Sequence, residues 1–342
     1  MLRFILFFLF VNFFNLNLSF AKNSKNALNI LKPKVVYGKD NRKEFYEVKN
    51  KTIKDLSLST VALFSTASLL STNATETLFD IDAETLEESY QLCSTEKYLA
   101  QPTGAFCTGF LIAPQLVMSA GHCITSQFDC EDTQFVFDYK LTKKGQTTIQ
   151  ISSSSMYSCD KLISREESIT DYSIIKLDRP VTDRQPLKIR KIKEIQKDTS
   201  VFVIGHPSGL PLKITQKGAK VSQVENTYFL ANLDTFQGNS GSPVFHSKTN
   251  EVEGILARGE TDYTYNSKNS CYVVNTCLKE NNCSGEGVIK ITSLYKQINK
   301  ALNLVNKDIK EDQSSKSTTC TVEGDPFCED TSCGTENTRV CL

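Results

Sequence analysis

Three short stretches of the chain carry side chains that could pass a proton between them. Ser240 stands in Gly238-Asn239-Ser240-Gly241-Ser242-Pro243-Val244, with a glycine on each side of it. Such a turn can expose the hydroxyl and let another molecule approach the backbone closely. It can also aim the amide hydrogens of Gly238 and Ser240 at one point, a cradle for a developing oxyanion. Taken alone the stretch also reads as an ordinary hairpin turn, because turns select the same residues. His122 lies well upstream in Ser119-Ala120-Gly121-His122-Cys123. Neutral imidazole is the usual base for a serine nucleophile near neutral pH, although a lone histidine is more simply a hydrogen-bonded core residue. Asp171 opens the apolar run Tyr172–Leu177. Burying a carboxylate there is unfavourable unless it accepts hydrogen bonds. Receiving the Nδ1 proton of His122 would satisfy it and leave Nε2 free to accept from Ser240, an arrangement suited to acyl transfer.

With all three contexts in view, the chain resembles the trypsin-like (chymotrypsin-fold) serine proteases, in particular the bacterial secreted branch that includes the glutamyl endopeptidases. Phe106-Cys107-Thr108-Gly109-Phe110-Leu111-Ile112 leading to Ser119-Ala120-Gly121-His122-Cys123 is similar to the family's strand pair around its histidine. The order His, Asp, Ser discriminates, since subtilisins place the aspartate first and α/β-hydrolases the serine first. The resemblance runs from about Val35 to Leu304, with a long insertion near 65–102. It implies an all-β fold of two six-stranded antiparallel β-barrels with a C-terminal helix. It also implies a His122–Asp171–Ser240 triad, an oxyanion hole from the Gly238 and Ser240 amides, and a disulfide between Cys107 and Cys123. The expected activity is serine-type endopeptidase on protein or peptide substrates, by a monomer with no metal or organic cofactor.

The same resemblance assigns a specificity pocket. In Asp234-Thr235-Phe236-Gln237-Gly238-Asn239-Ser240, Asp234 falls where trypsin-type members carry the pocket-floor carboxylate, with Thr235 beside it. Gly259 and Gly287 match the small residues that keep the pocket open for a long side chain. A carboxylate ending an open slot favours Lys or Arg through charge-assisted hydrogen bonds. Cleavage after Glu is the alternative, since glutamyl endopeptidases share Thr235 and the Gly-Asn-Ser-Gly-Ser-Pro core. However, their pocket histidine would fall at Leu256, and the positive charge of Arg258 would be opposed by Asp234. A protease-shaped binding module that no longer cuts is the third reading; no triad residue or flanking glycine is missing. Asn239 departs from the family, because it replaces the aspartate that pairs with the freed N-terminal amine of trypsin-type zymogens. Phe236 departs too, standing where many animal members have a cysteine.

Short apolar runs between turn residues account for the elements that must hold these groups. Candidate strands are 59–64, 105–112, 116–119, 135–139, 147–151, 172–177, 201–204, 242–245, 252–257 and 287–291. So many strands with little helix point to an all-β sandwich or barrel pair. Helical spacing is expected over 83–100 and over 293–304.

The rest of the chain bears on location. Arg3 followed by Phe4–Val11 and a Ser19-Phe20-Ala21 ending reads as a signal peptide over 1–21. The apolar run is about half of the roughly 20 residues that a spanning helix needs. Residues 22–34 read as a pro-segment, with cleavage after Lys34 making Val35 the first residue. The protease domain is expected over 35–305, then a polar linker and Cys-rich tail over 306–342. Twelve cysteines in an exported chain favour disulfides. Beyond the bridge beside the histidine, Cys271, Cys277 and Cys283 cluster, with Cys93, Cys130 and Cys159 as candidate partners. The expected location is secreted, extracellular or periplasmic, with no membrane attachment in the mature form. Thirty-nine basic residues balance 39 acidic ones, which argues against a dedicated nucleic-acid binder.

Overall fold

The computed structural model describes residues 36–216, 218–259, 261–277 and 285–316, and the two paired strands Thr319–Cys320 and Arg339–Val340. The expected signal peptide, the pro-segment, Val35 and most of the cysteine tail lie outside the described residues.

Six antiparallel strands close a first barrel: β1 (Thr60–Ser65), β2 (Cys107–Ala113), β3 (Leu116–Ser119), β4 (Thr133–Val136), β5 (Met156–Glu166) and β6 (Tyr172–Leu177). Around the ring the order is β5-β6-β3-β2-β1-β4. A second six-strand set follows: β7 (Val201–Gly205), β8 (Val221–Val224), β9 (Tyr228–Ala231), β10 (Pro243–His246), β11 (Val252–Arg258) and β12 (Glu286–Lys290). These pair as β8-β9-β12-β11-β10-β7. The two ends of this set approach where Ser200 bridges Lys220, with Val201 N donating to Ala219 O at 3.1 Å and Val221 N to Thr199 O at 3.0 Å. The far end of β7 instead pairs with Lys213–Thr215, which carries Arg42–Glu44 on its outer edge. Of the expected pair, the first six-stranded barrel is closed, and the second six-strand set is a half-barrel within an eight-stranded sheet.

Side-chain alternation explains why the strand sequences look continuously apolar. Ile175, Val203, Val244, Leu256 and Val288 point into the two barrels. Their neighbours Ile174, Phe202, Phe245, Ile255 and Ile289 point outward into a third apolar layer, shared with Ile298 and Ala301 of the C-terminal helix. Strands buried on both faces lose the polar half of the period-two pattern.

Three local expectations change. The helix expected over 83–100 is confined to Leu86–Tyr90, ended by left-handed Gln91 at φ 51°. Beyond it Leu92 bridges Tyr272, and Cys93 is disulfide-bonded to Cys271. These long-range ties override the helical spacing. The strand expected over 147–151 shrinks to Ile151–Ser152. The C-terminal helix, Tyr295–Lys316, runs through the first part of the expected linker. Its extension carries Lys, Glu and Gln, good helix formers, and has no glycine or proline to stop it.

Candidate active site

His122 and Asp171 meet at the edge of the first barrel. His122 follows β3, and Asp171 is the last turn residue before β6; β3 and β6 pair with Ser119 opposite Ser173. Asp171 is fully buried, and its carboxylate accepts from two backbone amides, Gly121 N at 2.8 Å and His122 N at 3.1 Å. Both of those bonds fall on Oδ1. Oδ2 lies 2.9 Å from His122 Nδ1. The buried aspartate thus has the hydrogen bonds that its burial requires. With Nδ1 as donor to it, Nε2 is left as the acceptor.

Ser240 comes from the second barrel, on the turn before β10, and Thr108 of β2 ties that turn to the first barrel. The Thr108 amide donates to Ser240 O at 2.8 Å and its hydroxyl to Gly238 O at 2.8 Å. The same hydroxyl accepts from His206 N at 3.1 Å. Thr108 is preceded by Cys107, which is disulfide-bonded to Cys123, the residue after His122. Cys123 Sγ lies 3.7 Å from Ser240 O. One bridge therefore joins the backbone beside the histidine to the backbone that holds the serine. A loop of this length contributes about 3 kcal/mol in the chain-entropy treatment. Cys107, His122 and Cys123 have their ligand-type atoms within 4.8 Å of one another, but the joined sulfurs leave no thiolate to bind a metal.

The turn around Ser240 is tightly seated. A Cβ on Gly241 would stand 1.9 Å from Thr108 O, so only glycine allows the two barrels to approach here. The Gly241 amide donates to Leu256 O at 2.8 Å, and Ser242 N donates to Asn239 O at 2.9 Å. Among the described residues the Gly238 amide donates to none. Asn239 is buried and turns back on its own loop, its Oδ1 accepting from Ser242 Oγ at 3.3 Å.

The residues expected to line the pocket split into two groups. Thr235 donates through Oγ1 to Glu286 Oε2 at 2.6 Å, both side chains fully buried. Gly287 lies opposite Arg258 across β11 and β12, and a Cβ on it would be 3.0 Å from the Arg258 Cβ. Gly259, just past β11, is buried, and Leu256 faces the barrel interior. Asp234 also serves the N-terminal arm. Its Oδ1 accepts from Tyr37 N at 2.8 Å and its Oδ2 from Asn41 N at 3.0 Å. Burial pushes its carboxyl up to about 6, and Asp40 adds to this, against the lowering pull of the Asn41 and Tyr37 amides.

Sequence reasoning missed this N-terminal arm. Val36–Tyr37 pairs in parallel with Thr276–Cys277, and Arg42 Nε and Nη2 each lie 3.0 Å from Asp40. The Arg42 guanidinium stacks 4.1 Å from the Phe236 ring centroid. Asp262, also missed, accepts from Gln237 N at 2.9 Å. The polar run at residues 38–44 reads locally as a surface turn, and only tertiary contact gives it these partners.

Residues 107–255 match the family model for the trypsin-like peptidase domain. Among solved structures, a Glu endopeptidase in complex with MPD is 18% identical, covering 78% of this chain and 99% of that one, with a TM-score of 0.46. The VesB protease of Vibrio cholerae is 16% identical, covering 77% of this chain and 67% of that one, with a TM-score of 0.45. No curated protein matches the chain.

Proposed function

From the premise that this chain carries a trypsin-like peptidase domain, we propose that it is a secreted serine endopeptidase in which His122, Asp171 and Ser240 act as one unit. The observation that carries the reading is the buried Asp171 carboxylate, fixed by two amides through one oxygen and 2.9 Å from His122 Nδ1 through the other. In the mechanism, Ser240 Oγ attacks a peptide carbonyl while His122 Nε2 takes its proton. Asp171 stabilises the imidazolium, and the Gly238 and Ser240 amides receive the oxyanion. His122 then protonates the leaving amine, and water attacks the acyl group through the same base.

For specificity the proposal keeps cleavage after Lys or Arg, with Asp234 as the receiving carboxylate. The arm uses one lone pair on each Asp234 oxygen, and a carboxylate oxygen can accept a second bond. Because this carboxyl is held at about 6, the basic preference should strengthen as pH rises from about 5 to about 7. One observation favours cleavage after Glu instead. Arg258 leans its stem over Gly287, and its buried Nε has no acceptor among the described residues. A peptide-library digest separates the two. Lys or Arg before the cut bond, lost in Asp234→Ser, supports the first. Acidic residues there would reject it.

Export and removal of residues 22–34 belong to the same proposal. N-terminal sequencing of the active secreted protein is expected to begin at Val35, and a start at Lys22 would count against maturation after Lys34.

A further inference from the structure

We propose that Glu166 and Arg165 are positioning residues for the Asp171–His122 pair, acting through the turn between β5 and β6. The inference rests on the endopeptidase reading above and says what holds its carboxylate in place. Glu166 pairs with Tyr172, so residues 167–171 must reverse the chain. The Glu166 carboxylate lies across that turn. Oε1 accepts from the Ser168 hydroxyl and from the amides of Ser168 at 2.6 Å and Ile169 at 2.9 Å. Oε2 accepts from the amide and hydroxyl of Thr170. Three successive amides converging on one side chain form an anion-holding concavity, filled here by the chain's own carboxylate. Burial would raise the pKa of this acid, but the bonds from Ser168, Thr170 and Ile169 outweigh it and hold it at about 2.

The next residue is Asp171, whose φ is 28°, a value that side-chain-bearing residues rarely adopt. Such a conformation persists only where the surroundings over-determine it. The filled turn constrains Asp171 from its N-terminal side, and the amides of Gly121 and His122 constrain its carboxylate. Arg165 completes the grip from the other strand. Its Nε and Nη2 donate to Gly121 O at 3.3 and 3.2 Å, and Nη2 also pairs with Glu167. Gly121 is thus held by its carbonyl to Arg165 and by its amide to Asp171. A Cβ on Gly121 would stand 2.0 Å from Glu166 O, so the turn and the histidine segment are pressed together. The backbone on either side of the imidazole–carboxylate pair is therefore fixed, at Gly121 by Arg165 and at residues 168–170 by Glu166.

The test is steady-state kinetics of Glu166→Gln and Arg165→Met on a peptide amide cleaved by the wild type, with Ser240→Ala alongside. Glu166→Gln turns one acceptor into a donor facing N–H groups, and Arg165→Met releases the Gly121 carbonyl. The expected fall in kcat is about 10- to 100-fold for the first and about 3- to 10-fold for the second, the scale of a misplaced catalytic group. KM is expected to stay within about twofold, which marks a loss confined to the transition state. A purely structural turn would lower the urea midpoint and leave kcat of the folded variant at the wild-type value. Should Glu166→Gln fail to fold, Arg165→Met decides. A kcat matching wild type in the folded variants overturns the proposal. Wild-type rates in Ser240→Ala would instead remove the endopeptidase reading on which it rests.

Discussion

Ser240→Ala is expected to lower kcat by about 10⁶, the loss seen when the nucleophile of such a unit is removed. The groups around it act only through its oxygen, so no partial mechanism survives beyond what binding and the oxyanion amides give water alone. The fold should be untouched. Thr108 N to Ser240 O at 2.8 Å and Gly241 N to Leu256 O at 2.8 Å, which seat the turn, are backbone bonds that alanine keeps. An unchanged urea midpoint beside the lost turnover is the expected pair of results. A variant still cutting at more than about a tenth of the wild-type rate would mean that another group attacks the carbonyl.

Asp171→Asn should cost about 10⁴ in kcat near neutral pH, for a reason the geometry makes specific. Oδ1 already accepts from Gly121 N at 2.8 Å and His122 N at 3.1 Å. The asparagine carbonyl oxygen must take that place, because an NH₂ there would face two donors. The NH₂ group then occupies the Oδ2 position, 2.9 Å from His122 Nδ1, and can only donate. Nδ1, 2.9 Å from that NH₂ and 3.2 Å from the carbonyl oxygen, becomes an acceptor toward the nearer group, the ring proton moves to Nε2, and the base that should accept from Ser240 carries a proton instead. The variant should fold and bind peptide with KM near wild type while kcat collapses. A fall confined to KM would contradict this assignment of tautomers.

These two predictions rest on residues that were legible in the sequence, and the difference between them and what was missed is physical. Ser240, His122 and Asp171 each sit at the end of an apolar strand beside glycine or turn residues, so local pattern and chemistry coincide. β6 was read to its exact ends, being apolar and short. β5 was not seen at all, though it is the longest strand of the barrel. Its register shifts at Cys159/Lys161 and again at Leu162/Ser164, and each shift resets the alternation that a reader relies on. Thr108, Glu166 and the arm anchored on Asp234 were missed for another reason. Their roles are made by partners far away in the chain or by a turn folding over its own amides, and neither leaves a period in the sequence. Asp234 shows the limit most clearly: its position suggested a pocket floor, but nothing local announced that its two oxygens also accept from the Tyr37 and Asn41 amides.

The central claim is that one alcohol, made nucleophilic by His122 and Asp171, carries the reaction. Treating the purified mature protein with a fluorophosphonate and locating the adduct by mass spectrometry tests it most directly. A single adduct on Ser240 is expected, absent from Ser240→Ala and from urea-unfolded protein. Efficient peptide cleavage by a preparation that takes up no label on Ser240 would contradict it.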